Sequence, residues 1–296
     1  MDFKTELINY QNQINSELQK YLRKQDCPER ILNEAMEYSL MAGGKRLRPI
    51  LVLEAYKLFK NDLSNIMPYA VSIEMVHNAS LIHDDLPGID NDDFRHGKPT
   101  NHKKFNESTA ILAGDSLFNY ANIIISNDLL KTKNEQDLKR KLKIFNEFSM
   151  ATDRMLAGEY LDTECEGKNI SNEELKYIHK NKTGAYLRLC ARMGAILGGA
   201  TENQLEKITN YAEKIGLAFQ IKDDILSEIG DEKITGKPVG NDKEKGKCTY
   251  VSEYGLEKSI EILHSIINEA ILQLDEFGKK AEFLRNLASF IETRNK

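Results

Sequence analysis

Two groups of aspartates, far apart in the chain, are the residues best suited to chemistry. The first group lies in the segment DDLPGIDNDD at residues 84–93, and the second lies in DDILS at residues 223–227. Carboxylate oxygens are ligands that Mg²⁺ prefers, and the ion is typically held by one or two carboxylates together with water and substrate phosphate. Two such groups predict a site for Mg²⁺ and a diphosphate.

The element that must carry the first group supports this interpretation. Residues 69–83 are apolar on all sides, which is typical of a buried helix, and Pro87 should end or kink that helix. Asp84 and Asp85 then lie at a helix C-terminus, where the partial negative charge of the helix favours a bound cation. A single acidic run is most often a solvated loop, and neither group has the spacing of an EF-hand, so the interpretation depends on both groups together.

Composition restricts the class of protein. The chain has 296 residues, of which 41% are hydrophobic, and its formal net charge is -5. This size suffices for one domain, which we assign to residues 1–296, and the charge argues against nucleic acid as a partner. No stretch reaches the roughly 20 apolar residues of a membrane span, and the polar start has no secretory leader, so we expect a cytoplasmic protein without a stable membrane anchor. We expect its scattered cysteines to be reduced thiols: Cys27, Cys165, Cys190 and Cys248.

Apolar residues recur at helical spacing nearly everywhere, which predicts an all-α fold. The predicted helices cover residues 3–24, 29–42, 48–60, 66–84, 108–131, 134–160, 171–180, 182–198, 202–227, 255–275 and 278–293. Ser171 followed by Glu174 forms a capping-box pattern, and Ser64 is interpreted as another helix start. Two long connections, 88–107 and 228–250, show no helical pattern; such segments in a compact helical domain are more often functional than idle.

A basic turn, GGKRLRP at residues 43–49, adds a candidate anion site. Its glycines permit close backbone approach, and its three cations include two arginines, whose planar forks match phosphate oxygens. A turn of this kind is commonly plain surface, and a lone histidine such as His77 on an apolar helix is more often a core residue than a ligand. Both gain weight from the motifs that surround the first aspartate group.

These motifs together resemble the trans-prenyl diphosphate synthases, in particular the bacterial short-chain group that includes farnesyl and geranylgeranyl diphosphate synthases. The resemblance covers almost the whole chain, and ordered motifs at the family's spacing carry it. They are GGKRLRP at 43–49, EMVHNASLIHDDLPGIDNDDFRHGKPT at 74–100, ILAGD at 111–115, MLAGEYLD at 155–162, HKNKTGA at 179–185, FQIKDDIL at 219–226, GDEKITGKPVGND at 230–242 and GKCTYV at 246–251.

The resemblance implies the isoprenoid synthase fold, with antiparallel helices around a central active-site cavity, and usually a homodimer. It also implies a prenyltransferase that condenses isopentenyl diphosphate with dimethylallyl, geranyl or farnesyl diphosphate to give farnesyl or geranylgeranyl diphosphate. In that reaction an allylic diphosphate bound through three Mg²⁺ ions loses diphosphate, the double bond of isopentenyl diphosphate attacks the allylic cation, and a proton leaves. Metal ions and basic side chains stabilise the charge that develops on the leaving group.

Carried over position by position, the resemblance assigns roles to individual residues. The metal ligands are Asp84, Asp85 and Asp90 for two ions and Asp223 with Asp224 for the third. The residues expected to meet the allylic diphosphate are Arg95, Lys182, Lys222 and Lys237. Those expected to meet isopentenyl diphosphate are Lys45, Arg48, His77 and His96. The residues expected at the reacting centre are Lys182, Thr183 and Gln220, with Phe219 near the homoallylic substrate.

Three positions depart from the family pattern. His96 stands where a second arginine is usual, Glu159 where a glutamine is usual, and Ser227 where the second motif ends in aspartate. Histidine is a weaker cation than arginine at neutral pH, and Glu159 adds negative charge near the allylic site.

Two alternative functions stay open beside the synthase. Ser227 followed by Asp231 approximates a metal motif of class I terpene synthases, but the basic turn forms a second diphosphate site that a one-substrate enzyme does not need. A non-catalytic subunit of a heteromeric prenyl diphosphate synthase is the other alternative, and the presence of both leading Asp-Asp pairs argues against it.

Product length is expected to depend on residues about one helical turn before the first aspartate pair, Ala79 and Ser80. In the family, an aromatic residue at the position of Ala79 stops chain growth early, so a small side chain leaves the channel open. Packing therefore predicts geranylgeranyl diphosphate or a longer product, whereas the bacterial group by itself favours farnesyl diphosphate. Ordinary helix packing is the alternative role of Ala79.

Overall fold

The computed structural model describes residues 2–23, 26–165, 167–168, 170–229 and 249–294. Within these ranges, the regular structure is helical apart from one two-stranded hairpin, which confirms the predicted all-α class. The predictions for Lys237, Asp231, Cys248 and most of the connection 228–250 lie outside the described residues.

The elements follow one another along the chain with short connections. The first are α1 (Phe3–Tyr21), α2 (Arg30–Leu40), α3 (Leu47–Lys57), a 3-10 turn (Leu63–Asn65), α4 (Met67–Asp84), β1 (Phe94–Arg95), β2 (Lys98–Pro99), α5 (Asn101–Lys104) and α6 (Glu107–Lys131). The next are α7 (Glu135–Glu164), α8 (Asn172–His179), a π-helix (Lys180–Gly184), α9 (Ala185–Gly198), α10 (Glu202–Ile229), α11 (Tyr250–Tyr254), α12 (Leu256–Leu272), a 3-10 helix (Asp275–Ala281) and α13 (Glu282–Thr293).

Helix α4 is the centre of the first of two compact units, which comprises Met1–Leu53 and Asp62–Leu142. It is buried nearly all the way round, as its uniform apolar content predicts, and it packs chiefly against α6. Near its end the His83 ring occupies the space beside Gly114, where an added Cβ would lie 2.2 Å from the ring Nε2. This close contact with α6 fixes the turn of α4 that leads into the first aspartate group.

Helix α10 is the centre of the second unit, which comprises Glu54–Asn61 and Lys143–Lys296. It packs against α9, α12 and α13, and the buried Tyr211 hydroxyl donates to the Leu284 carbonyl at 2.7 Å. A Cβ added at Gly216 would lie 3.2 Å from the Cα of Gly184, so α10 also runs close to the π-helix. The assignment of residues 1–296 to a single domain stays a prediction.

The two predicted helix starts have different outcomes. The capping box at Ser171 is confirmed, because its hydroxyl accepts from the Glu174 N–H at 3.2 Å and the Glu174 carboxylate accepts from the Ser171 N–H at 2.8 Å. Ser64 does not begin a long helix: it lies inside the 3-10 turn that Asp62 caps, and α4 begins at Met67. Proline in the first turn of α4 provides the local start signal there.

The connection 88–107 contains more regular structure than its sequence predicts. It includes the hairpin of β1 and β2 as well as the short helix α5. His96 and Gly97 form the hairpin turn with φ of 52° and 75°, the positive values that two-residue hairpin turns require. Strands of two residues are too short to show an alternating pattern, so no period could reveal them.

Two predicted helices differ from the observed elements. The predicted helix 182–198 is divided into part of the π-helix and α9. The predicted helix 278–293 begins instead at Glu282, because Gly278 adopts φ 54° and ψ −135°, which a helix cannot contain.

Two further features of the described ranges concern membrane-spanning helices and disulfides. None of the helices there is both long and apolar enough to cross a membrane. The three cysteines in those ranges, Cys27, Cys165 and Cys190, form no disulfide.

Candidate functional site

The first aspartate group forms a closed turn at the end of α4. Asp84 is the last helical residue and Asp85 is the C-cap, as the sequence predicts. The Asp90 N–H donates to the Asp84 carbonyl at 2.8 Å, so the loop returns to the helix end. Asn91 has a φ of 53°, a left-handed conformation that asparagine tolerates better than most residues. The turn therefore brings the backbone of Asp90 back to the helix end that carries the aspartate pair.

Arg95, from β1, holds the carboxylate of Asp85. Its Nε lies 2.8 Å from Oδ1 and 2.9 Å from Oδ2, and its Nη2 lies 2.6 Å from Oδ1. The side chains of Asp85 and Arg95 are 4% and 26% exposed. Burial raises the pKa of Asp85, and the guanidinium opposes this shift. One ion pair thus joins a predicted metal ligand to a predicted diphosphate ligand.

The basic turn divides its arginines between two roles. Arg46 is buried and donates to the Glu74 carboxylate, to Asn15 Oδ1 at 3.0 Å and to a backbone carbonyl of α2. Arg48 stays partly exposed, and its Nη1 donates to His77 Nε2 at 3.1 Å. Arg46 is therefore a structural cation, and the candidate anion site of this turn is reduced to Lys45 and Arg48.

The two histidines predicted to meet isopentenyl diphosphate are both shifted toward the neutral form. Burial lowers the pKa of His77 well below its ordinary value, and neighbouring cations, Arg48 first, add to the shift. Burial also lowers the pKa of His96, again with help from nearby basic groups. The His96 Nε2 lies 3.6 Å from the place of a Cβ at Gly44, so the hairpin turn lies against the basic turn. Both shifts favour the neutral imidazole, and for His96 this direction agrees with the weaker cation expected where the family has arginine.

The π-helix carries Lys182 and, buried beside it, Thr183. A π-helical turn inserts one residue into a helix and is frequent at functional sites. The Lys182 Nζ lies 2.9 Å from the Glu159 carboxylate and 2.6 Å from the Asp162 carboxylate, both on α7. An added Cβ at Gly158 would lie 2.4 Å from the backbone N of Lys182, so only glycine permits this approach.

The two aspartates of the second group have different partners. Asp223 accepts from Nη2 of Arg294, whose guanidinium also lies 4.0 Å above the Phe219 ring and donates to the Phe219 carbonyl at 3.1 Å. Asp224 is 8% exposed and accepts from the Tyr250 N–H at 2.8 Å. Asp223 thus forms an ion pair beside a predicted substrate residue, while Asp224 anchors the first residue of α11.

The other residues of the predicted site occupy α10 and α4. Gln220 and Lys222 are half-buried on α10; burial and then Arg294 lower the pKa of Lys222. On α4, Ala79 is completely buried, and the Ser80 hydroxyl donates to the backbone carbonyl of His77 at 2.9 Å.

Three residues that contact the predicted site were not singled out from the sequence. Asp162 could have been found, because it lies three positions after Glu159 and so shares its helical face. Arg294 and Tyr250 contact residues 71 and 26 positions away, and no local pattern indicates such contacts.

The oxygen donors fit Mg²⁺ chemically. Among the residues that the structure describes, no three His, Cys, Asp or Glu side chains are grouped as a ready metal cage. Mg²⁺ is usually bound through one or two carboxylates, with water and substrate phosphate as its other ligands. The carboxylates of Asp84, Asp85 and Asp90 on the closed turn, and that of Asp223, are donors of this kind.

Comparison with known proteins identifies the family of this helical chain. The sequence profile of the family described as polyprenyl synthetase matches residues 29–284, so this chain belongs to the polyprenyl synthetase family.

The chain is similar to curated relatives and to solved structures over most of its length. A farnesyl diphosphate synthase from Geobacillus stearothermophilus is 44% identical over 253 residues, which are 83% of this chain and 82% of the relative. A geranylgeranyl diphosphate synthase from Cyanophora paradoxa is 43% identical over 264 residues, covering 88% and 87% of the two chains. The crystal structure of geranylgeranyl pyrophosphate synthetase from Pyrococcus horikoshii matches with a TM-score of 0.88 and 29% identity, over 99% of this chain and 98% of that chain. The isoprenoid synthase fold is thereby confirmed.

Proposed function

We propose that this protein is a short-chain prenyltransferase that condenses isopentenyl diphosphate with an allylic diphosphate to give farnesyl or geranylgeranyl diphosphate. The observation that carries the proposal is the family match over residues 29–284, which includes both aspartate groups. The relatives at 44% and 43% identity are named farnesyl and geranylgeranyl diphosphate synthases. The ion pair of Asp85 with Arg95 adds support, since the end of α4 and the strand β1 together present a carboxylate for a cation and a guanidinium for an anion.

Mg²⁺ is the metal that we assign to the two aspartate groups, three ions in all. When bound, it would neutralise charge on the leaving diphosphate. The ligands that we assign are Asp84, Asp85 and Asp90 for two ions and Asp223 with Asp224 for the third. Both carboxylates already have a partner, Arg294 for Asp223 and the Tyr250 N–H for Asp224. Asp223 is the more accessible of the two, with a side chain 43% exposed, so we expect it to be the stronger ligand once Mg²⁺ displaces Arg294.

The chain's own cations would hold the two diphosphates. For the allylic diphosphate we assign Arg95, Lys182, Lys222 and Lys237, and for isopentenyl diphosphate Lys45, Arg48, His77 and His96. Neutral His77 accepts a hydrogen bond from Arg48, which orients the planar guanidinium for a phosphate. Thr183, Gln220 and Phe219 complete the proposed reacting centre. A homodimer and a cytoplasmic location are proposed from the family resemblance.

Product analysis with purified protein and Mg²⁺ tests the function. The protein is incubated with geranyl diphosphate alone, and then with geranyl diphosphate and labelled isopentenyl diphosphate. A longer prenyl diphosphate that requires both substrates is the expected result. A hydrocarbon or alcohol from geranyl diphosphate alone would instead indicate a terpene synthase, and no product from either mixture would indicate a non-catalytic subunit.

The Ala79→Tyr variant is expected to shorten the product distribution. Ala79 is completely buried on α4, so a larger side chain must fill space near it or displace its neighbours. If Ala79 forms the floor of the product channel, the phenol ring blocks the longest products, and overpacking lowers the free energy of unfolding by about 1–3 kcal/mol. Chromatography of dephosphorylated products measures the distribution.

A matched variant separates channel blocking from general destabilisation. Ala70 is also completely buried on α4, so Ala70→Tyr should reduce stability without shortening the product. An unchanged distribution for Ala79→Tyr, or equal shortening in both variants, would remove Ala79 as the floor.

A further inference from the structure

Lys182 lies between two carboxylates of one helix. Its ammonium contacts Glu159 at 2.9 Å and Asp162 at 2.6 Å, and the three side chains are 26%, 18% and 24% exposed. Glu159 and Asp162 lie three positions apart on α7, so both carboxylates project from the same face. An ammonium ion carries three donors and no acceptor, so it can satisfy both carboxylates at once.

The backbone leaves Lys182 little freedom to move away from α7. The missing side chain of Gly158 brings the backbone of α7 against that of the π-helix, where a Cβ would lie 2.8 Å from the Lys182 Cα. Any movement of the ammonium toward a ligand must therefore come from the side chain. That movement must weaken its contacts with the two carboxylates.

These charges compete with an anionic ligand. Lys182, Glu159 and Asp162 together carry one net negative charge. His179, one turn earlier, adds no positive charge at neutral pH, because burial lowers its pKa to about 4 although Asp162 opposes the shift. In partly buried surroundings, a carboxylate held at hydrogen-bond distance from the Lys182 ammonium weakens the attraction of that ammonium for an incoming phosphate.

We propose that Glu159 lowers the affinity for the allylic diphosphate by competing for the ammonium of Lys182. The inference rests on the proposed function, which assigns Lys182 to that diphosphate. Asp162 makes the shorter contact with the ammonium, so a variant that neutralises Glu159 still leaves Lys182 a carboxylate partner on α7.

Kinetics of Glu159→Gln test the inference. Glutamine keeps the shape and removes the charge, so the KM for geranyl diphosphate should fall about fivefold, the value of one partly exposed ion pair. The KM for isopentenyl diphosphate should stay unchanged. Calorimetry with inorganic diphosphate and Mg²⁺ should show tighter binding by a similar factor, and Glu159→Asp, which keeps the charge, should resemble the native protein. If Glu159→Gln does not fold, Glu159→Ala removes the same carboxylate and should shift both measurements in the same direction.

The Glu147→Gln variant is the matched control. Glu147 also lies on α7 and binds both Nε and Nη2 of Arg192, at 2.8 and 2.7 Å, so its loss should lower stability and leave both KM values unchanged. An unchanged or higher KM for geranyl diphosphate in Glu159→Gln, or an equal change in Glu147→Gln, would overturn the inference. If the native protein makes no prenyl diphosphate, the proposed function fails instead.

Discussion

The Asp84→Asn variant is expected to lower kcat by about 10²- to 10³-fold while it changes the free energy of unfolding by less than about 1 kcal/mol. Asp84 ends α4, where the partial negative charge of the helix C-terminus makes a carboxylate unfavourable unless a cation compensates. Asparagine keeps the shape of the side chain and removes its charge. We therefore expect weaker binding of metal and diphosphate and an unchanged stability of the C-terminus of α4. Steady-state kinetics with both substrates and urea unfolding measure the two effects.

A neighbouring aspartate provides the control for this variant. Asp93 has a side chain that is 62% exposed, and its partner is Lys103 at 2.8 Å. Asp93→Asn removes a charge from the same segment and should leave kcat unchanged. Full activity in Asp84→Asn would contradict the assignment of this residue as a metal ligand. The assignment would also be contradicted if Asp84→Asn lost activity only to the extent that its free energy of unfolding fell.

The Arg46→Met variant is expected to lower the free energy of unfolding by about 3–5 kcal/mol. The side chains of Arg46 and Glu74 are 2% and 3% exposed, and Arg46 also donates to Asn15 and to a carbonyl of α2. Methionine fills similar volume, but it leaves the buried Glu74 carboxylate without the guanidinium that compensates its charge. Chemical denaturation followed by circular dichroism measures the difference.

A double variant distinguishes the cost of an uncompensated charge from lost packing. Arg46→Met combined with Glu74→Met removes both charges and should recover most of the stability, because an apolar pair of similar volume replaces a buried ion pair with little loss. As a surface control, Arg140→Met breaks a pair with Asp137 at 3.4 Å and should cost less than about 0.5 kcal/mol. A double variant no more stable than the single one would show that packing, and not charge, determines the effect.

The long helices were predictable because their signals are local. Apolar spacing identified α4, α6, α7, α9 and α10 with small errors at the ends, and the capping box at Ser171 located the start of α8. The end of α4 followed from Pro87, which cannot continue a helix. These features depend on residues within a turn or two of one another.

The local sequence did not reveal the elements whose conformation depends on a few backbone angles. The hairpin turn at His96 and Gly97 has positive φ at a residue that is not glycine, and the break at Gly278 lies inside an otherwise helical pattern. The π-helix, KNKTG at residues 180–184, contains no apolar residue whose spacing could distinguish it from the helices on either side. Neighbouring elements select these conformations from several that the local sequence permits.

The sequence by itself determined the chemistry available to this protein: carboxylates that follow an apolar helix, a basic turn, and motifs in the order of the polyprenyl synthetases. The tertiary structure decided how residues of the same type are used. Arg46 is buried against Glu74 while Arg48 stays partly exposed, and Asp223 pairs with Arg294 while Asp224 holds a backbone N–H. The physical reason is that charge and spacing are properties of a segment, whereas burial and the partner of a charge depend on side chains that reach it from distant parts of the chain.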